Sequence, residues 1–590
     1  MLLTTILCFL FGTSLAQKNL GVEDDNAAPS TEAFRVSGVS ALHEYFELDG
    51  NGITIAVFDS GHPFLEHESI AAASIIIEGE YEPNEHGTDV CAMIIGRDSV
   101  CYSRGAAPAA EIVAYATTQF DQETRLMLWE ESILEGAVLA NWSFTGGTND
   151  ILLSTNAILA NHPEHLLCLG AGNNDNVWGT VSNEQKNGLS VGSVDFDLSP
   201  SGATSFGPAN DGRLKPDIVS FGSRVWLPWY QDDLLSTDKY HRVSGTSFAS
   251  PMAAATFALV QQFNTEHGAL LSAPSLKALS ILTAKDLGAE GPDFRFGHGL
   301  LSLENLLSVL VSHYDGCSQV STFSDTLSQN EVHDYTIEVG VDGQISAVLC
   351  WLDDPSSLSL VNDLDLRLTS SDGTIYYPWG TPPQQPYLGG ISSEVALDLE
   401  YPAIREDNVL DNIEKIEYTD LAPGEYTMTV SHKGSINPVN GTGGQPYVIW
   451  TSQLSNIHLD VSTPILSTAD VLATDLPEDA NIEWMRDGVS LGSENPLMGI
   501  SKGDISLITT YDNCTVIDVV TVPCSLCHAD INLDGIVNIF DLLIMLTGIG
   551  NDLLRCDPLC MPADGAIPFQ VIDVADMLYF LNVYGSSCEE

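Results

Sequence analysis

The sequence predicts a multidomain chain: an α/β three-layer domain around a mostly parallel sheet, then β-sandwich modules, then a small α-helical module. Three observations predict it. At 590 residues the chain is too long for one hydrophobic core. From Gly52 onward, short apolar runs alternate with helical stretches, as in a parallel sheet covered by helices. Farther along, strands that alternate apolar and polar residues are separated by turn residues, as in antiparallel sandwiches.

Charge and cysteine content narrow the setting. The chain carries 80 Asp and Glu against 21 Lys and Arg, a formal net charge of −59, with 44% hydrophobic residues. Such a surface repels nucleic acid and anionic membranes and attracts divalent cations. It stays soluble at high ionic strength, which points to a saline extracellular medium. Residues 1–16 run apolar from Met1 and end with small residues at Ser14 and Ala16, the form of a secretory signal cut after Ala16. A short N-terminal segment, 17–36, follows. No later stretch approaches the ~20 apolar residues of a membrane span, so a secreted, extracellular protein is expected. Of the 12 cysteines, Cys524, Cys527, Cys556, Cys560 and Cys588 crowd the C-terminus, where an oxidising compartment favours disulfides. Cys91 and Cys101 fit a loop-bridging disulfide or buried free thiols equally well.

The first domain is expected over 37–312. Ile53–Phe58, Glu111–Ala116, Ala137–Trp142 and Leu166–Ala171 read as buried strands, with helices over Glu123–Gly136 and Asp150–Asn161. In such sheets, sites form at the carboxyl ends of strands. Asp59 and the stretch Gly170–Asn174 fall at those ends. The run from Val243 to Ala255 packs small residues around Ser247 and continues into an Ala-rich buried helix. A serine at a helix start has an unpaired backbone N–H at the positive end of the helix dipole, a good place for a nucleophile beside an oxyanion. Alone, Ser244 or Ser247 would read simply as an N-cap.

Three further residues supply what a serine nucleophile requires. His86, at a helix start, can take its proton; Asp59 can orient that imidazole; Asn173 can donate to a tetrahedral oxyanion. The order Asp, His, Asn, Ser, with Asp-Ser-Gly at 59–61, His-Gly-Thr at 86–88, Gly-Ala-Ala-Pro at 105–108, Gly-Ala-Gly-Asn at 170–173 and Gly-Thr-Ser-Phe-Ala-Ser-Pro at 245–251, resembles the subtilisin-like serine proteases, the subtilases. The resemblance spans about Ser37 to Val311. It implies Asp59, His86 and Ser247 as the triad and Asn173 as oxyanion donor. It also implies substrate-flanking segments that include Trp142, Ser143, Phe144 and Gly172. Phe248 departs from the pattern, since the family usually has Met there, and Asn141-Trp142-Ser143-Phe144 replaces Asn-Met-Ser-Leu. Only about forty residues separate Ala16 from the Asp59 strand, fewer than a folded inhibitory propeptide needs.

The segments Phe206–Asp217 and Arg295–Gly299 resemble a subtilase subgroup with a C-terminal β-sandwich, in which His298 is structural. Residues 313–454, with alternating strands at Asp334–Val339 and Glu425–Val430, resemble its jelly-roll module. Asp363 and Asp365 there fit a Ca²⁺ site and charged strand-edge caps equally well. Residues 455–522 read as a small all-β domain, immunoglobulin-like in pattern, and by default a spacer. In 523–590, Asp530, Asn532, Asp534, Ile536, Asn538 and Asp541 have the spacing of an EF-hand Ca²⁺ loop, with Gly535 at the turn. A degenerate second copy ends at Asp573–Leu578, and the pair resembles a dockerin, which implies structural Ca²⁺ and a cohesin-like partner. The whole reads as a secreted serine endopeptidase acting on proteins through an acyl-enzyme on Ser247. The alternative is a catalytically inactive extracellular adhesion or assembly protein on the same scaffold.

Overall fold

The computed structural model describes residue 42 and residues 45–522, save 98–103, 145–146, 231–236, 381–401, 455–457, 462–467, 478, 487 and 502. Seven parallel strands form the central sheet: β1 (Thr54–Asp59), β2 (Ser74–Glu78), β3 (Glu111–Ala116), β4 (Leu139–Trp142), β5 (Leu166–Gly170), β6 (Leu189–Val194) and β7 (Ile218–Phe221). Their spatial order is β2-β3-β1-β4-β5-β6-β7. The chain leaves β1 toward one edge and returns to its other side at β4, so the order reverses at the carboxyl end of β1, where α/β sheets build sites.

Strand periodicity explains the three layers. Ile55 and Val57 join one core with Ile112, Leu139 and Cys168. The intervening Ala56 and Phe58 join a second core on the opposite face with Val113, Ala140 and Leu167. Helices α1 (Glu85–Ile95), α2 (Gln122–Leu134), α3 (Asn149–Asn161), α4 (Thr246–Glu266), α5 (Ala273–Leu282) and α6 (Leu303–Tyr314) cover the sheet, with a hairpin of β8 (Val225–Pro228) and β9 (Tyr240–Val243) alongside. Trp129 of α2 and Leu159 of α3 fill the second core. The other face packs on α1 and on α4, whose alanines 249, 253, 254, 255 and 258 are fully buried. Small side chains let this helix run against the sheet: a Cβ on Gly222 would meet the Ala249 N at 2.5 Å.

Beyond α6 come two four-stranded antiparallel sheets. The strands are β10 (Val320–Leu327), β11 (His333–Val339), β12 (Ile345–Cys350), β13 (Asp363–Ser370), β14 (Ile375–Tyr376), β15 (Ile413–Tyr418), β16 (Gly424–Lys433) and β17 (Gln445–Ser452). They lie in the orders β10-β17-β12-β15 and β11-β16-β13-β14. Leu349, Leu364, Ile416 and Met428, from both sheets, share one core.

The last described strands, β18 (His458–Val461), β19 (Thr468–Thr474), β20 (Asn481–Arg486), β21 (Val489–Gly492), β22 (Leu497–Ser501), β23 (Gly503–Tyr511) and β24 (Cys514–Val522), make two further sheets. The spacer reading of this segment is corrected. Strand β24 lies on α6, with Thr515 N donating to Ser312 Oγ at 2.7 Å and Ile517 N to Ser308 Oγ at 2.9 Å. Cys317 and Cys514 are joined by a disulfide. Trp484, Leu507 and Ile517 extend the same apolar core that holds α4 and α6. Apolar faces on both partners are desolvated together, which docks the segment instead of letting it swing. Cys91 is a buried free thiol; Cys101 lies outside the described residues, as do residues 1–16, 17–36 and 523–590 with Asp530, Asn532, Asp534, Ile536, Asn538 and Asp541.

Candidate active site

Asp59 ends β1 and is only 2% exposed. Its Oδ1 accepts from Ser60 N at 2.7 Å and Ser60 Oγ at 3.1 Å, and lies 2.7 Å from His86 Nδ1. His86 is the second residue of α1, whose start is capped by Asn84: its Oδ1 accepts from Gly87 N at 2.7 Å. The helix can sit this close because residue 87 is glycine; a Cβ there would lie 2.2 Å from the Gly61 carbonyl. Burial alone would lower the His86 pKa, but the charge and hydrogen bond of Asp59, with smaller contributions from Asp89 and Glu85, hold it above the ordinary histidine value. The imidazole is thereby oriented through Nδ1, leaving Nε2 for proton transfer.

Ser247 is the second residue of α4, two residues past the Gly245 cap, and not an N-cap itself. Phe248, next to it, puts its ring centroid 5.8 Å from that of His86. The first N–H groups of α4 are apportioned unevenly. Thr246 N donates to Asn173 Oδ1 at 2.9 Å and Phe248 N to Gly245 O at 3.1 Å. Ser247 N has no partner among the described residues, so it points its partial positive charge outward at the helix end. Asn173 spends its oxygen on Thr246 N and Thr246 Oγ1. That fixes the amide and leaves its Nδ2 donors for another acceptor. Ser247 Oγ donates to Ser143 O at 3.2 Å, a ground-state contact rather than one to His86.

The expected substrate-flanking residues divide in two. Ser143 and Gly172 hold the serine helix: Ser143 Oγ donates to Ser247 O at 2.8 Å, and Gly172 N donates to Thr246 Oγ1 at 3.1 Å. Trp142 turns its ring into the core, 5.0 Å from Trp129 and 5.9 Å from Phe58. Phe144 stacks on its outer face at 5.4 Å and stays half-buried. Of this pair, Phe144 is the aromatic side chain at the surface of the segment. His298 is buried, and burial holds its pKa down to about 3, as befits a neutral structural histidine.

Asp363 and Asp365 stand where β13 extends past its short partner β14, on an open strand edge. Asp365 is engaged by Arg367 at 2.9 Å and by Lys433. No group of three or more His, Cys, Asp or Glu side chains among the described residues is arranged to hold a metal. Cations of the chain itself answer the charge of Asp365, an arrangement in keeping with the strand-edge reading.

Two features gave no sequence signal. Asp89, buried three residues after His86, pairs with His241 Nε2 at 2.9 Å. Burial raises its pKa to about 6 despite the histidine. Asn183, within an unremarkable Val-Ser-Asn-Glu stretch, donates to Phe144 O at 3.0 Å and Gly170 O at 2.6 Å. A composition or motif cue for either is absent, because each contact joins residues distant in sequence.

Comparison with known proteins agrees with the geometry. Residues 50–299 match the model of the Subtilase family, Peptidase_S8. The minor extracellular protease Epr of Bacillus subtilis is 27% identical over 270 residues, covering 43% of this chain and 38% of that protein. The serine protease AprX of the same organism is 25% identical over 300 residues, covering 44% and 66%. Human membrane-bound transcription factor site-1 protease is 26% identical over 303 residues, covering 47% and 27%. The chain thus matches between about a quarter and two thirds of the length of these relatives. Among solved structures, the prenylagaramide maturation protease PagA is 19% identical at a TM-score of 0.39, covering 45% of this chain and 98% of that one. Residues 50–299 are therefore a domain of the subtilase family, the subtilisin-like serine proteases.

Proposed function

We propose that the protein is a secreted serine endopeptidase that cleaves peptide bonds of proteins through an acyl-enzyme on Ser247. The observation that carries this reading is the 2.7 Å contact of the buried Asp59 with His86, beside a helix start that bears Ser247. His86 Nε2 takes the Ser247 hydroxyl proton as Oγ bonds to the substrate carbonyl carbon. The resulting oxyanion accepts from Ser247 N–H and Asn173 Nδ2. His86 then delivers the proton to the leaving amine as the C–N bond breaks. Water, deprotonated by the same imidazole, hydrolyses the acyl ester.

The appended β-sandwich is proposed to be a jelly roll, supported by the interleaved strand orders of its two sheets. The tail is proposed to bind Ca²⁺ through Asp530, Asn532, Asp534, the Ile536 carbonyl, Asn538 and Asp541, and to dock a cohesin-like partner. What supports this is the EF-hand spacing of oxygens around Gly535. Secretion is supported by the signal-like N-terminus and by the extracellular relative from Bacillus subtilis.

Ser247→Ala, purified from the same host, is expected to lose peptidase activity and fluorophosphonate labelling together. Retained activity in that variant would overturn the assignment. A wild-type chain that neither labels nor cleaves would favour the inactive adhesion or assembly reading.

A further inference from the structure

Asn183 is 1% exposed, and its side-chain amide uses both N–H donors on main-chain oxygens. One goes to Phe144 O at 3.0 Å, the other to Gly170 O at 2.6 Å. Phe144 lies within one, and Gly170 immediately precedes the other, of the two segments, around 142–146 and 171–173, that the subtilase resemblance implies flank the substrate. The neighbouring Ser182 N adds a third tie, to Ala171 O at 2.9 Å. A single planar amide therefore spans the gap between the two walls, and its width is the distance between its own hydrogens' acceptors. Side-chain amides are rigid, so the spacing is held within narrow limits.

The segment that carries Asn183 is anchored at its far end to the β-sandwich. Lys186 is completely buried, and its three protons go to Asp353 Oδ2 at 2.6 Å, Asp354 O at 2.7 Å and Ser359 O at 3.0 Å. Asn187 exchanges two bonds with the Asp353 main chain, donating to its oxygen at 2.9 Å and accepting from its nitrogen at 2.8 Å. Asp353 is itself fixed, accepting from Val361 N and Asn362 N at 2.8 Å each. Between the two ends, Arg213 donates to Glu184 O at 2.7 Å. Residues 182–187 are thus a strut with one end in the substrate walls and the other in the sandwich. Buried ion pairs contribute little net stability compared with apolar packing, but they fix geometry well, and losing one partner disturbs it strongly.

We propose that Asn183 is a positioning residue that sets the width of the substrate pocket, and that the β-sandwich holds it in place through the Lys186–Asp353 pair. The sandwich would then take part in side-chain selection without touching substrate. This rests on the proposed peptidase reading, and the test separates the two.

The full-length protein and the variants Asn183→Ala, Asn183→Thr and Lys186→Gln are assayed on peptides differing only in the side chain before the scissile bond: Ala, Leu or Phe. Ser247 labelling by a fluorophosphonate is read in parallel. Loss of the two donors is expected to raise KM about tenfold and to change the ranking of the three peptides, with kcat and labelling largely kept. Asn183→Thr, which retains a single donor, should fall between and serves if Asn183→Ala does not fold. Lys186→Gln keeps donors but shortens their reach, and should shift the ranking in the same direction. An unchanged KM and ranking in the Asn183 variants would overturn the positioning role. An unchanged ranking in Lys186→Gln alone would overturn the sandwich's part. Absent labelling and cleavage in the parent would instead sink the peptidase reading itself.

Discussion

Replacing Asp59 with Asn tests how His86 is activated. The side chain keeps its shape, but the charge facing Nδ1 disappears and an amide can present its N–H where a carboxylate oxygen now sits. At the observed 2.7 Å, an imidazolium and a carboxylate attract by about 6 kcal/mol at an effective dielectric of ~20. That attraction is fully developed only when His86 carries the serine proton, so it acts on the transition state. At about 1.4 kcal/mol per decade, it corresponds to a loss of roughly 10⁴ in kcat. The triad in the chymotrypsin fold responds by a similar factor to the same substitution. The sign of the pH effect follows from the same contact. His86 must be neutral to accept a proton, and Asp59 holds its pKa above the ordinary 6.5. Activity of the parent should therefore rise with pH through a midpoint above 6.5, and Asp59→Asn should move that limb to lower pH. The assay is kcat/KM on a fluorogenic peptide from pH 5 to 9, with circular dichroism to show that the variant folds. A folded Asp59→Asn protein within about tenfold of the parent would refute the reasoning, since the attraction worked above leaves no room for so small a loss.

Phe248 lies against His86 and carries no sulfur, so peroxide should leave the enzyme active while a Phe248→Met variant is inactivated roughly severalfold faster, as followed by residual peptidase activity. Equal rates would show that oxidation acts elsewhere. The Cys317–Cys514 bridge closes a separation of 197 residues, for which the chain-entropy formula gives about 5 kcal/mol. Residual structure in the unfolded chain lowers the measured effect below that figure, so a Cys317→Ser/Cys514→Ser variant should lose about 2–4 kcal/mol, read as a lower denaturant midpoint with kcat unchanged. For the tail, titration calorimetry of the full chain should register one Ca²⁺ fewer in Asp530→Ala/Asp534→Ala than in the parent. Identical isotherms would remove the EF-hand reading.

Much of the first domain was legible because its signals are local. The runs at Ile53–Phe58 and Glu111–Ala116 are apolar on consecutive residues, which only a strand buried on both faces tolerates, and both became β1 and β3 within one residue. The small residues around Ser247 announced a closely packed helix start, and the order of Asp59, His86, Asn173 and Ser247 announced its chemistry. The sequence did not reveal which of two readings a residue would adopt when the decision lay with a partner far along the chain. Trp142 is a core residue and Phe144 a surface one because Phe58 and Trp129 converge on the former. Asp365 is spoken for because Lys433, on a neighbouring strand, reaches it. The 455–522 segment is docked because α6 offers it serine hydroxyls and an apolar face, and Cys317, just past the end of α6, bridges to Cys514.

Local pattern and covalent spacing thus determined that there is a parallel α/β domain and which four residues could perform acyl transfer. Tertiary structure alone decided how those residues are held, Asp59 on His86 and Asn173 on Thr246, and it set Asn183 between the Phe144 and Gly170 carbonyls on a segment that Lys186 ties to Asp353, 167 residues away. The reason is physical. Secondary structure answers to neighbours within a few residues, whereas a buried polar side chain is acceptable only where the fold brings it a partner, and no local periodicity records which partner that will be.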